Sequence, residues 1–428
     1  MNYPNGLLLP PAIHQQCREA FCLVDQDANG KKRLFFDNSG GALRLKRCVD
    51  AKATAEMLPD CPERSHEAAL ALHKTVEAST KELLEVVFGA REGAILTELT
   101  ASQAMFHLIE IILENTEGGN AVVSAVEHPS AFDAVAYYCE RTGKELRVVY
   151  PDTETGRIPP EAVAALVDQN TRLVSVMAAS NVTGSVMDIL AIQKAVKAIN
   201  PDVYLVCDAV QHAPHAALDV TNLGVDGVTF APYKFFGVRG CGFGYASPRL
   251  AALTHRKLLL KPQDTFALGT PAPGNFAAMH EIVAYVCEIG GYFTNETDTR
   301  TLFCEGMRRI HLHERALLHR MLEGSEEVPG LRRIRGVTVY ADTADLTHRD
   351  LIAAIGIKGL DFSSCVKEYE KRGVIVCDRI RESMYARRIL EALDLPGAVR
   401  VSPLHCHGEA DIDEFLRVTA AIANAVKS

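Results

Sequence analysis

Residues 204–247 read YLVCDAVQHAPHAALDVTNLGVDGVTFAPYKFFGVRGCGFGYAS. Two runs in this stretch, YLVCDAV (204–210) and GVTFAP (227–232), are mostly apolar rather than alternating. That pattern predicts strands covered on both faces of a mostly parallel sheet. The first run carries Asp208, with Gln211 three residues on. The second closes on Pro232-Tyr233-Lys234 and a Gly-rich turn that leads into a third run, CGFGYAS (241–247). Ligands of open α/β sheets sit at the carboxyl ends of the strands. An Asp and a Lys at two such ends, 26 residues apart, would therefore face one crevice.

Two chemistries fit that pair. Pyridoxal phosphate (PLP) needs a lysine for its Schiff base and a carboxylate on its pyridinium nitrogen to keep the ring an electron sink. A structural ion pair, or a strand-end lysine beside a capping aspartate, has the same spacing.

Further strand candidates are LFFD (34–37), AVVSAV (121–126), LRVVY (146–150) and RLVSVMAA (172–179). Helical patterns lie between them: 65–89, with Leu72, Val76, Leu83 and Val87 near one face, then 102–115, and 188–200, which Asp188 can cap. The β-then-α rhythm to about residue 250 predicts a doubly wound α/β core. A long helical stretch over 273–323 then leads into a strand-poor final third containing GVTVYAD (336–342), GVIVCD (373–378) and VRVS (399–402). We expect an N-terminal arm over 1–33 packing on the small domain, a large α/β domain over 34–290, and a smaller α+β domain over 291–428.

Composition narrows the function classes. With 428 residues, 48% hydrophobic and 23% charged, the chain is an ordinary globular one. A net charge of −9, no Trp and 7% aromatics argue against nucleic-acid binding. No run approaches the ~20 apolar residues needed to cross a bilayer. The opening MNYPNGLLLPPAIHQQC lacks a basic segment and is broken by Pro10 and Pro11, unlike a secretory signal. Twelve scattered cysteines without a C-x-x-C pair predict a cytoplasmic protein with reduced thiols. The Gly-rich run 237–244 precedes a strand, whereas a dinucleotide fingerprint needs strand–loop–helix order. His311/His313 and His405/His407, the latter pair read on one side of a strand, lack a second ligand pair at zinc-finger spacing, so no metal is expected.

In register, Asp208, Gln211, His215, Asp226 and Lys234-Phe235-Phe236-Gly237 resemble the pattern D-x-x-Q-x-x-x-H…D…K-x-x-G of the class-V aminotransferase group of fold-type I PLP enzymes. Cysteine desulfurases, selenocysteine lyases and isopenicillin N epimerase-like proteins belong to this group. AVVSAVEHPSAF (121–132), SNVTGSVMDI (180–189), ELTASQAM (98–105), LFFDNSGGA (34–42), ALGTPAPGNFAAM (267–279) and VRVSPLHCHGEADIDEFL (399–416) resemble its other segments. The resemblance runs from about residue 33 to the C-terminus.

It implies a large PLP-binding domain with a smaller C-terminal one, and a homodimer acting on an amino acid. Lys234 would hold PLP and shuttle the α-proton, with Asp208 on the ring nitrogen, Gln211 on the ring hydroxyl and His128 stacked on the ring. Tyr233 would also border the cofactor. Thr100 and Ala101, with Thr270 from the partner chain, would hold the phosphate. Asn181 and Arg400 would orient the substrate carboxylate, for which a guanidinium fork is well shaped.

Departures bear on the reaction. The usual Ser-x-His-Lys is Ala231-Pro232-Tyr233-Lys234, resembling a desulfurase-like subgroup that carries Tyr there. The Tyr-Asn after the carboxylate-binding arginine is Cys406-His407. Desulfurases attack the substrate sulfur with a loop thiolate. The segment 373–402 lacks that loop, and Cys377, its one cysteine, follows an apolar run as a strand-end residue would. Desulfurase-like chemistry is therefore expected beside alternatives needing only Lys234: a transaminase, an epimerase or another lyase. A non-catalytic homologue is the remaining alternative.

Overall fold

The computed structural model describes residues 3–426, so residues 1, 2, 427 and 428, at the ends of the expected arm and small domain, lie outside the described residues. Thirteen strands are present among them: β1 (Leu34–Phe35), β2 (Ala94–Glu98), β3 (Asn120–Ser124), β4 (Glu145–Val149), β5 (Thr171–Met177), β6 (Tyr204–Asp208), β7 (Gly227–Phe230), β8 (Gly242–Ala246), β9 (Val337–Tyr340), β10 (Ala353–Ile357), β11 (Val374–Ile375), β12 (Cys377–Arg379) and β13 (Ala398–Val401). Seven form one sheet in the order β2-β8-β7-β6-β5-β3-β4. Only β8 runs antiparallel to its neighbours; the remaining pairs are parallel.

Helices cover both faces of this sheet, so β3, β7 and β8 are buried at every residue. Alternation still sorts the side chains. Ala121, Val123, Leu173 and Val206 pack on the face that holds the helix Ala101–Glu114, while Val122, Val174, Leu205, Cys207 and Val228 pack into the other core. Asp208 shares the parity of Val206 and therefore opens on the side of that helix.

The final third is richer in strands than its sequence suggests. An antiparallel sheet, β12-β13-β10-β9, packs on the helices Thr299–Glu323, Phe362–Lys371 and Glu409–Ala425. A two-stranded parallel piece, β1-β11, ties residues 34–35 to this part. The stretch 273–323 is two helices, Pro273–Gly291 and Thr299–Glu323, because Asp298 breaks the run and caps the second through the Thr301 N–H (2.8 Å). The 65–89 pattern is an α-helix, Glu67–Glu82, that widens into a π-turn over Leu83–Val87 before Gly89. His405 and Cys406 lie in a turn beyond β13, not on a strand. There Pro403 interrupts the ladder, since proline has no N–H to donate.

Candidate active site

Five parallel strand ends converge on one cleft. β6 ends at Asp208, and in the neighbouring ladder Asp208 lies opposite Thr229, so the turn after β7 brings Lys234 to the same edge. An open cavity there is lined by Thr100, Ala101 and Ser102 after β2, by His128 and Ser130 after β3, and by Met177, Ala179 and Asn181 after β5. Asp208, Val210 and Gln211 after β6 complete it with Ala231, Tyr233, Lys234 and Arg239 after β7. Eight residues singled out from sequence thus meet in one place: Thr100, Ala101, His128, Asn181, Asp208, Gln211, Tyr233 and Lys234. Arg400 and Thr270 do not line it. Arg400 is buried behind Asn181, whose carbonyl accepts from its Nη1 (3.0 Å), and its Nη2 pairs with Asp37 (2.7 Å). Thr270 is exposed on the surface of the chain.

Burial dominates the electrostatics. Lys234 is 9% exposed, and desolvation, reinforced by the Arg400 charge, lowers its pKa to about 8. Its Nζ donates to Gln211 Oε1 at 3.5 Å, the outer limit of a hydrogen bond. Burial pushes the Asp208 carboxyl up, opposed by the Val210 N–H (2.9 Å) and the Lys234 charge. His128 caps the helix Pro129–Thr142, its Nδ1 accepting from the Ser130 N–H (3.2 Å), and burial beside Lys234 holds its pKa down to about 4. The imidazole is therefore neutral at pH 7, with its proton on Nε2.

Sequence reasoning missed the groups that hold these. Glu127 is fully buried; its Oε1 accepts from Met177 N (2.7 Å), and desolvation lifts its pKa to about 8. Arg388 donates to the carbonyls of Ala125 (2.6 Å) and Glu127 (3.0 Å), fixing the turn that presents His128. Only the Glu-His pair in AVVSAVEH hinted at the first, and no local pattern marks the second. His215 and Asp226, matched in the motif, lie off the cleft. His215 pairs with buried Glu314 (2.7 Å), which raises its pKa to about 9 against the cost of burial. Asp226 accepts from Leu205 N (2.9 Å) and Ser247 Oγ (3.1 Å), binding the ends of β6 and β8 together.

The residues fit PLP. The 101–114 helix points its N-terminus into the cleft, capped by Thr100 Oγ1 accepting from Gln103 N (3.1 Å), and such a terminus suits a phosphate. Gly242 makes the approach possible, since a Cβ there would stand 2.0 Å from Ala101 N. Asn181 Oδ1 is a buried acceptor with no hydrogen-bond partner among the described residues, and a buried orphan of this kind marks a ligand position. Among the described residues no group of three or more His, Cys, Asp or Glu side chains converges as a metal site.

The model of the class-V aminotransferase family matches residues 34–415. The chain belongs to this family. A cysteine desulfurase from Cronobacter sakazakii is 25% identical over 350 residues, covering 74% of this chain and 79% of that protein. The aminotransferase-like protein FGM3 of Gibberella zeae is 25% identical over 409 residues, 90% of this chain and 94% of its own length. Among solved structures, the apo cysteine desulfurase of Thermococcus onnurineus superposes with a TM-score of 0.80 at 19% identity, over 98% of this chain and all of that one. That likeness extends the common fold to the C-terminal sheet. Family membership makes this chain a class-V, PLP-dependent type of enzyme, desulfurase-like in its relatives.

Proposed function

We propose that the cleft binds PLP on Lys234 and acts at the α-carbon of an amino acid, in the manner of the desulfurase-like members of the family. The observation that carries this is the convergence of Lys234 and Asp208 at adjacent strand ends, facing a helix N-terminus and a neutral imidazole. Bound PLP supplies an electron sink for bonds to the α-carbon. The chain's residues do the rest. Asp208, costly to bury as an anion, gains a cationic partner in a protonated ring nitrogen. Neutral His128 offers a flat face to the ring, and Gln211 a hydrogen bond to its hydroxyl. Thr100, Ala101 and the 101–114 helix terminus hold the phosphate, beside Tyr233. Lys234 Nζ, with its pKa near 8, can both release and regain a proton near neutrality. Asn181 and Arg400 orient the substrate carboxylate, which shares Arg400 with Asp37. In a homodimer the partner's copy of the exposed Gly269-Thr270 turn completes the phosphate site.

A second reading, a lyase, epimerase or transaminase without a thiolate, is favoured by Cys377. This residue opens β12 in a ladder with β13, and burial raises its thiol pKa. Twelve free thiols agree with a cytoplasmic location, and among the described residues no helix is long and apolar enough to cross a membrane.

Borohydride reduction of the yellow holoenzyme should leave a pyridoxyl mass on the peptide carrying Lys234. A colourless chain that takes up no PLP, or a label on another lysine, would overturn the reading.

A further inference from the structure

One cation at the cleft has no ion-pair partner among the described residues. Arg239 lines the cavity, and its guanidinium carbon lies over the Tyr233 ring, 4.2 Å from the centroid. Among the described residues it forms no ion pair and its side chain makes no hydrogen bond, unlike Arg400, Arg388 and Arg44, which are all engaged. A cation–π contact uses none of the N–H donors of a guanidinium, which remain available to a ligand. Nearby cations are Arg44, close enough for Arg239 to lower its pKa, and Lys52, whose ammonium donates to the Arg239 carbonyl (3.1 Å). In a chain of net charge −9, Arg239 thus puts a positive charge at the mouth of this cleft, an arrangement that draws in anions.

The loop Asp37–Ala42 measures the reach. A side chain at Gly41 would meet Arg239 Nη2 at 2.8 Å, and one at Gly40 would meet Arg400 Nη2 at 3.3 Å. The two guanidiniums therefore flank consecutive residues and lie at most about 12 Å apart. An amino diacid of four or five carbons, with about 2.8 Å for each charge-assisted contact, bridges such a gap.

We infer that Arg239 selects the substrate: it binds a second anionic group, so that the preferred amino acid carries an acidic side chain of roughly aspartate or glutamate length. This rests on the cleft being the PLP site with Arg400 as its carboxylate clamp. A competing role is that Arg239 holds the cofactor phosphate in place of the Ser and His that Ala231 and Tyr233 replace. The neighbourhood of Gly41, beside the loop that carries Asp37 to Arg400, favours the substrate side.

The test uses holoenzyme and ligands without an amine, glutarate against butyrate, followed by calorimetry and by the absorbance of the bound cofactor. Glutarate should bind at least about tenfold more tightly, the scale of one charged hydrogen-bonded contact. Arg239→Gln should bring the two acids within about twofold, and Arg239→Lys should keep part of the preference. Cofactor content and melting temperature should not change, since the replaced guanidinium is exposed and unbonded. Equal binding of the two acids by wild type would overturn the inference. So would a preference that survives Arg239→Gln, including the case where that variant instead loses PLP. A chain that never loads PLP on Lys234 refutes the functional reading as well, whereas a loaded enzyme without the preference refutes this inference alone.

Discussion

Cys377 faces Arg400 across the β12–β13 ladder, and its thiol lies 3.3 Å from the carbonyl of Asp378. Burial raises its pKa and Asp37 and Asp378 add to the rise, while Arg400 and Arg379 pull the other way. A sulfur nucleophile needs thiolate character and freedom to reach its target, and a residue paired within a ladder has little of the second. Cys377→Ser should therefore keep at least about half of wild-type turnover of whichever amino acid the enzyme accepts, because the exchange is nearly isosteric and removes no ion pair. Abolished turnover, with a persulfide trapped on Cys377 of the wild type, would restore the thiolate mechanism. An extended position was visible in the sequence from the preceding Gly-Val-Ile-Val, although that run pairs as β11 in another sheet and Cys377 opens β12 rather than ending a strand. Its pairing with Arg400 was not, since nothing local specifies a partner strand 23 residues on.

At the scale of elements, the helix Ala101–Glu114 shows how a sheet can place a phosphate site. β8 crosses directly beneath its N-terminus, and Gly242 allows the contact: a Cβ there would stand 2.0 Å from Ala101 N and 2.3 Å from Thr100 C. The three nearest atoms are all backbone of Thr100 and Ala101, so no flexible side chain is there to yield. Gly242→Ala should therefore shift the helix terminus, cost roughly 1–3 kcal/mol of stability and weaken PLP binding. Gly291→Ala, at a helix end where a Cβ meets nothing within 4 Å, should be neutral or slightly stabilising. Thermal melts and PLP titration of the two variants check this, and an unaltered Gly242→Ala would mean that β8 can slide. The central strands were legible because apolar runs such as YLVCDAV are what burial on both faces demands. Boundaries and long-range pairs were less so. Asp298 splits 273–323 by capping, a choice the apolar periodicity does not show. Asp37 meets Arg400 across 363 residues of chain, and Arg239 sits in a Gly-rich run whose spacing says nothing of the ring it stacks on.

For the whole molecule, His215 with buried Glu314 and half-buried His212 with Asp350 at 3.0 Å tie loops of the large sheet to the C-terminal part, where Arg400 pairs with half-buried Asp37. Some apolar surface has no cover among the described residues. Leu99 is 70% exposed, immediately before Thr100, and Leu259 and Leu260 are 94% and 100% exposed on the segment that leads to Gly269-Thr270. Isolated leucines at a surface are ordinary, but adjacent leucines as exposed as Leu259 and Leu260 are what an isologous partner would bury. Sedimentation should give twice the 46.7 kDa of one chain. Sharing of the site can be read separately. A Thr270→Ala chain should retain PLP several-fold more weakly, and a Lys234→Ala chain cannot be reduced onto PLP at all. Co-assembled, the first supplies Lys234 and the second an intact Thr270, so one site per heterodimer is whole again. Borohydride should then label the Thr270→Ala chain at cofactor concentrations where it stays unlabelled alone. If Thr270 served its own chain, or never approached a phosphate, co-assembly would rescue nothing, and a monomer with full PLP occupancy would remove the dimer from the account.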